Sequence, residues 1–193
     1  MSTEKILPGN ETVLVIPVVE VNGVPNLVGD TLVPYDAPTV AVLTMWHAIT
    51  VNGDTGSGAG GNLSGALKDD LTLGLTDSDT DPDRTINSKG QSEALTFFNF
   101  DSEFTIFRDA SLSATDSRFN MASDLVRAPD VPYMIAHRIG YDETVVPAIG
   151  QEWDFYYSWT DNPVPVYADG GNQAVTQTLV PKNVVLPSHT LTV

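Results

Sequence analysis

The 193-residue chain has no cysteine, and only nine lysines and arginines against 25 aspartates and glutamates. The first absence removes disulfide scaffolds, zinc–thiolate and iron–sulfur sites and thiol catalysis. The second leaves a formal net charge of −16. A chain this acidic repels phosphate polymers and anionic membranes over about a Debye length, ~8–10 Å at cellular salt. That excludes a protein built to grip nucleic acid or to bind membranes through a polybasic patch. Long apolar runs are missing too. The longest, Val13 to Val19, contains Pro17 and falls far short of the ~20 residues that span a bilayer. The opening MSTEKILPGN has no apolar stretch of signal-peptide length, so the expectation is a soluble, unexported protein. Hydrophobic residues still make up 41% of the chain, enough for one core over 1–193 rather than a disordered polymer.

What is present reads mostly as β structure. Thr12 to Val21 is rich in valine and runs into Asn22-Gly23, a pair suited to a tight turn with positive φ. Ala48 to Val51 ends similarly at Asn52-Gly53. Leu71, Leu73 and Leu75 alternate with Thr72, Gly74 and Thr76, and Phe104 and Ile106 alternate with Glu103, Thr105 and Phe107. In Gln151 to Trp159, Trp153, Phe155, Tyr157 and Trp159 fall on one face, while Glu152, Asp154, Tyr156 and Ser158 fall on the other. Period two over this length predicts a strand with one buried face. Further strands are expected at Pro132–Ile139, Ala174–Val180 and Val184–Val193. Helix is scarce. Asp116 to Arg127 places Phe119, Ala122, Leu125 and Val126 on one face and stops before Pro129, and a shorter turn is expected from Pro38 to about Leu43. The fold class is therefore all-β with a minor helix: an antiparallel sandwich or barrel of about eight strands, with one flanking helix, a long Gly-rich loop and extended ends.

Segments that might carry chemistry do not hold up. Gly53 to Gly65 is rich in Gly and Ser and reads as a mobile loop that makes partner contacts. Its Gly56-x-Gly58-x-x-Gly61 lacks the following helix of a dinucleotide fingerprint. Asp77, Asp79 and Asp81 have calcium-loop spacing, but Pro82 stands where the loop needs Gly and Ser88 where it needs a bidentate Glu. An acidic turn without metal is the reading. His47, His137 and His189 are isolated, and no serine sits in a G-x-S-x-G elbow. No cofactor and no catalytic residue is assigned. The aromatic strand at Trp153–Trp159 reads as core rather than as a sugar platform.

Several segments together resemble the major tail tube proteins of long-tailed, siphovirus-type bacteriophages, particularly those of actinobacterial hosts. They are APTVAVLT at Ala37–Thr44, LTLGLTDSDTDPDRTI at Leu71–Ile86 and FTIFRDASLSATDSRFNMASDL at Phe104–Leu125, with VPYMIAHRIGY at Val131–Tyr141 and GQEWDFYYSWTDNPVPV at Gly150–Val166. The resemblance implies a non-enzymatic virion protein, assembled in the host cytoplasm. It implies a β-sandwich with a flanking helix, hexameric rings and a hollow tube through which DNA leaves and which a tape-measure protein fills during assembly. It further implies ring stacking through a long loop and terminal arms, here Gly53, Gly56, Gly58, Gly60 and Gly61 with Met1–Asn10 and Pro181–Val193. Strand parity then makes Asp101, Glu103, Glu152 and Asp154 candidate acids of the bore. A carbohydrate-binding sandwich using exposed Trp46 or Trp159, an acid-driven hydrolase, and a capsid decoration or tail-terminator protein are the competing readings.

Overall fold

In a computed structural model the described residues are 10–51, 59–76, 79–83, 92–97, 100–167 and 173–192. β1 (Glu11–Val21) buries seven consecutive residues, Thr12 to Val18. A strand buried on both faces must be central, and β1 lies between β2 (Val24–Leu27) and β9 (Pro132–Ile139). Asn22 and Gly23, at φ 54° and 78°, make the tight turn into β2. β3 (Val33–Pro34) closes that edge. β4 (Gly61–Asn62) pairs with β1. β5 (Thr72–Leu75) pairs with β8 (Phe100–Phe107), and β6 (Asp79–Asp83) with β7 (Ser92–Phe97) as a separate two-stranded unit. β10 (Glu152–Thr160), β11 (Val164–Val166) and β12 (Ala174–Thr190) complete the main sheet. Its order is β3–β2–β1–β9–β10–β12–β8–β5, antiparallel throughout, with β11 also on β12. The first and last strands differ, so the sheet is not closed.

β12 explains the layering. Residues 174–178 pair with β8 while 179–190 pair with β10, with two register shifts along the way. Such shifts bend a strand and increase its twist. The β8 end thereby turns over one face of β1, β9 and β10, and a core forms between: Val13, Val15, Ile135 and Tyr156 against Phe104, Ile106 and Leu179. The helix α2 (Arg118–Val126) packs into this core through Ala122, Leu125 and Val126. The helix α1 (Val40–Ala48) covers the opposite face, where Leu43 and Trp46 meet Leu14, Ile16, Met134, Trp153 and Phe155.

Several expectations are corrected. Among the described residues there are two α-helices, not one. In place of the short turn expected from Pro38 to about Leu43, α1 runs nine residues over Val40–Ala48 behind the N-cap Thr39. Its sequence VAVLTMWHA has no polar face, and burial rather than amphipathic pattern selects the helix. Trp46 is anchored by donating from Nε1 to the Val28 carbonyl at 2.6 Å. β10 is buried on both faces, because it is a middle layer and not a half-solvated strand: Tyr156 and Ser158 are as buried as Phe155. The two strands expected at Ala174–Val180 and Val184–Val193 are one. Pro181–Thr190, part of the segment expected as a C-terminal strand or arm, belongs to the sheet. The acidic run around Asp79 and Asp81, expected as a turn, is strand β6. Asp77, Asn52–Gly53 and the arm residues Met1–Gly9 lie outside the described residues.

Candidate functional site

The β5–β8–β12 end of the main sheet presents an exposed polar surface among the described residues. Thr72, Asp101, Glu103 and Thr178 are all exposed there. Glu103 sits between Thr72 on β5 and Thr178 on β12, and Asp101 stands opposite Gly74. Thr178 donates from Oγ1 to Glu103 Oε2 at 3.1 Å. These residues line a shallow cleft of about 410 Å³ that runs on to Val180 and Pro181, with no basic side chain among the described residues that line it. Among the described residues, no cationic side chain lines the cleft beside the two carboxylates. Two carboxylates in an open cleft are too few for a metal cage. They are well suited to keeping another anion at a distance.

The other two candidate acids are elsewhere. Val180, two residues beyond Thr178, pairs with Trp159, so Glu103 shares a face with the Trp153–Trp159 row. Glu152 and Asp154 alternate with that row and occupy the opposite face. Asp154 accepts from the Ser188 backbone N–H at 2.7 Å and stands opposite His137. His137 Nε2 in turn lies 3.3 Å from Glu11 Oε2. Within each strand the acids alternate with buried residues, and the pairings of Thr178 with Glu103 and Val180 with Trp159 set which of them share a face.

The Gly-rich segment divides. Gly53, Gly56 and Gly58 lie outside the described residues. Gly60 and Gly61, expected in a mobile stacking loop, are buried instead. A Cβ on Gly60 would come within 2.6 Å of the Val15 carbonyl and 2.8 Å of both Pro17 and the Trp46 ring. Gly61 has φ 138° and lies against the Ile49 carbonyl. Both are glycines because backbone and indole crowd them. The tryptophans of the sugar-binding alternative are not exposed either. Trp46 is fully buried, and the Trp159 ring is half-buried under Lys182 Nζ at 4.5 Å. The histidines make structural contacts: His47 Nε2 with the Glu143 carbonyl at 2.7 Å, His189 edge-on to Phe155. Among the described residues no group of three or more His, Cys, Asp or Glu is placed to hold a metal ion. No helix among them is long and apolar enough to cross a membrane.

Sequence reasoning missed Arg138, which is only 1% exposed and makes no ion pair with a carboxylate among the described residues. Its guanidinium donates to Gln151 Oε1 at 2.8 Å, Thr12 Oγ1 at 2.8 Å and the Val145 carbonyl at 2.7 Å. It lies between the rings of Trp153 and Tyr141, 4.7 and 4.8 Å from their centroids. Burial lowers its pKa from the ordinary arginine value. These contacts hold the 140–151 loop onto the sheet. Within that loop Thr144 donates from Oγ1 and N to Asp142 Oδ1, bonds that hold the Asp142 carboxyl below its ordinary pKa. The signal was a lone arginine in the apolar run YMIAHRI, at a position that parity turns inward.

A protein-family model described as phage tail tube protein matches residues 27–192. The matched span takes in both helices, the open acidic face and the Arg138 loop. No curated protein matches the chain.

Proposed function

The chain belongs to the phage tail tube protein family, a family of structural proteins of the virion tail, and on that premise we propose how this subunit builds its tube. Copies associate edge to edge into closed hexameric rings, and the rings stack. β5 and β3 are the terminal strands of an open sheet, and unpaired edges are a liability that ring closure removes. The contacts within such a ring are heterologous, one edge of each copy meeting the other edge of the next.

In this reading the face bearing Asp101 and Glu103 lines the bore, and Glu152 and Asp154 lie away from it. A wall of unneutralised carboxylates keeps phosphates off the surface, so that DNA slides through during ejection instead of adhering. The tape-measure protein occupies the same bore during assembly. The observation that carries the reading is an exposed acidic sheet face whose cleft has no basic residue among the described ones that line it, in a member of this family.

Negative-stain microscopy of the purified chain tests it. Hollow stacked rings of six are expected. Single rings that never stack would instead mark a tail terminator, and monomers at every concentration would refute the assembly.

A further inference from the structure

The 140–151 loop joins the Ile139 end of β9 to the Glu152 end of β10 and stands out from that pole of the subunit. It exposes Tyr141, Val145, Val146 and Ile149, the last at 64%. From Thr144 to Gln151 it carries no charged residue, in a chain of net charge −16. It is also rigidly held. Besides the Arg138 contacts, the Glu143 carbonyl meets His47, Ala148 N donates to Gln151 Oε1, and Gly150 N donates to the Leu191 carbonyl. An exposed apolar loop fixed by a buried, unpaired guanidinium is costly to maintain as mere surface. It is pre-organised for docking, with little ordering left to do on contact.

The opposite pole carries a matching feature. Beyond the Thr160 end of β10 lies a cleft of about 290 Å³ lined by Leu112, Pro163, Pro165, Tyr167, Arg108 and Arg127, among others. Leu112 and Tyr167 are 65% and 78% exposed. Two of the nine basic residues of the chain stand here. Arg108 donates to Ser123, and Arg127 makes an exposed ion pair with Asp124 at 3.6 Å. The loop at the other pole is flanked by Asp142 and by Glu143, whose carboxylate is 3.8 Å from Arg118. Apolar surface therefore sits at both ends of one subunit, with the carboxylates of Asp142 and Glu143 in the loop and the guanidiniums of Arg108 and Arg127 lining the cleft. Two loops facing each other would bring like charges together.

We propose that the 140–151 loop of one copy docks into the Arg108–Arg127 cleft of a second copy of this chain, forming the head-to-tail contact between successive rings. This rests on the tube reading and adds a stacking surface separate from residues 53–58. A heterologous contact between opposite poles propagates without closing, which gives the tube its polarity.

The absence of cysteine makes the test clean. Tubes of the double variant Ile149→Cys/Leu112→Cys are oxidised and run on a non-reducing gel. A ladder of covalent oligomers is expected, whereas Leu112→Cys alone gives none and Ile149→Cys alone at most a dimer. Separately, Ile149→Asp should raise the concentration needed for stacking at least about tenfold, with the fold of the subunit unchanged by circular dichroism. Val24→Asp, at an exposed position of β2, should not. Tubes of the double variant that give no ladder, together with Ile149→Asp stacking at the unaltered concentration, overturn this contact alone. Failure of the unaltered chain to form tubes overturns the tube reading and this contact with it.

Discussion

Replacing Arg138 by methionine removes the guanidinium and keeps most of the stem. Three bonds under 3 Å, to Gln151, Thr12 and the Val145 carbonyl, are lost. Bonds to a charged donor are worth about 1.5–3 kcal/mol each. Contact with the rings of Trp153 and Tyr141 adds about 0.5–1 kcal/mol apiece. Against this stands relief of several kcal/mol, because a charge without a counter-ion no longer has to be buried. Gln151 Oε1 keeps its bond from Ala148 N, so the acceptors orphaned by the change are chiefly Thr12 Oγ1 and the Val145 carbonyl. The net expectation is destabilisation by about 2–4 kcal/mol, which for a chain of this size lowers Tm by about 4–16 °C. Thermal unfolding of the unassembled protein followed by circular dichroism measures it. Hydrogen exchange locates it: protection should fall at Val145, Ala148 and Gly150 and persist in the middle of β9. Arg138→Lys separates charge from geometry. An ammonium keeps the buried charge and cannot span the same acceptors, so lysine should be no better than methionine. A methionine variant melting within ~2 °C of the unaltered chain, with those amides still protected, would refute the clamp.

Three further outcomes are expected. Gly60→Ala puts a Cβ against the Val15 carbonyl, Pro17 and Trp46 and should destabilise the subunit by about 1–3 kcal/mol, read by urea unfolding. A mobile loop at that position would show no change. Burial raises the pKa of the Tyr133 and Tyr156 phenols to about 12, above the ordinary ~10. The unfolded chain therefore loses these protons first, and their contribution to stability, complete below about pH 10, is lost as pH rises towards 12. Unfolding midpoints measured across that window should fall, and Tyr133→Phe should flatten part of the decline. Glu103→Lys on the open face should leave tube assembly intact and slow DNA release from virions. Unchanged ejection kinetics would remove Glu103 from the bore.

The sequence was most legible where a single layer of packing enforces a period. β9 was expected at Pro132–Ile139 and spans those residues. β10 and α2 were found within two residues of their ends, and Asn22-Gly23 turns as its backbone preferences dictate. It was least legible where burial is two-sided or partners change. α1 is apolar all round, so VAVLTMWHA carries no helical stripe to detect. Pro181 looked like the end of a strand because proline gives up a ladder donor. It follows the point where β8 leaves β12, so the strand continues on β10 alone. The resemblance of segments such as Leu71–Ile86 and Phe104–Leu125 to tail tube proteins was correct at the level of family, and the match over 27–192 bears it out.

The sequence by itself determined the acid excess, the β-rich fold class, the parity of each strand and the family. Those properties are local or compositional, and no second segment is needed to read them. The tertiary structure alone decided which acids share a face. Asp101 and Glu103 lie together and Glu152 and Asp154 opposite, because a face is defined only once β12 has bent and helices have covered the rest. It likewise turned Gly60 and Gly61 from loop residues into packing residues, and made Arg138 the anchor of an exposed loop. Each depends on atoms distant in the chain: Trp46 for Gly60, Ile49 for Gly61, Thr12 and Gln151 for Arg138.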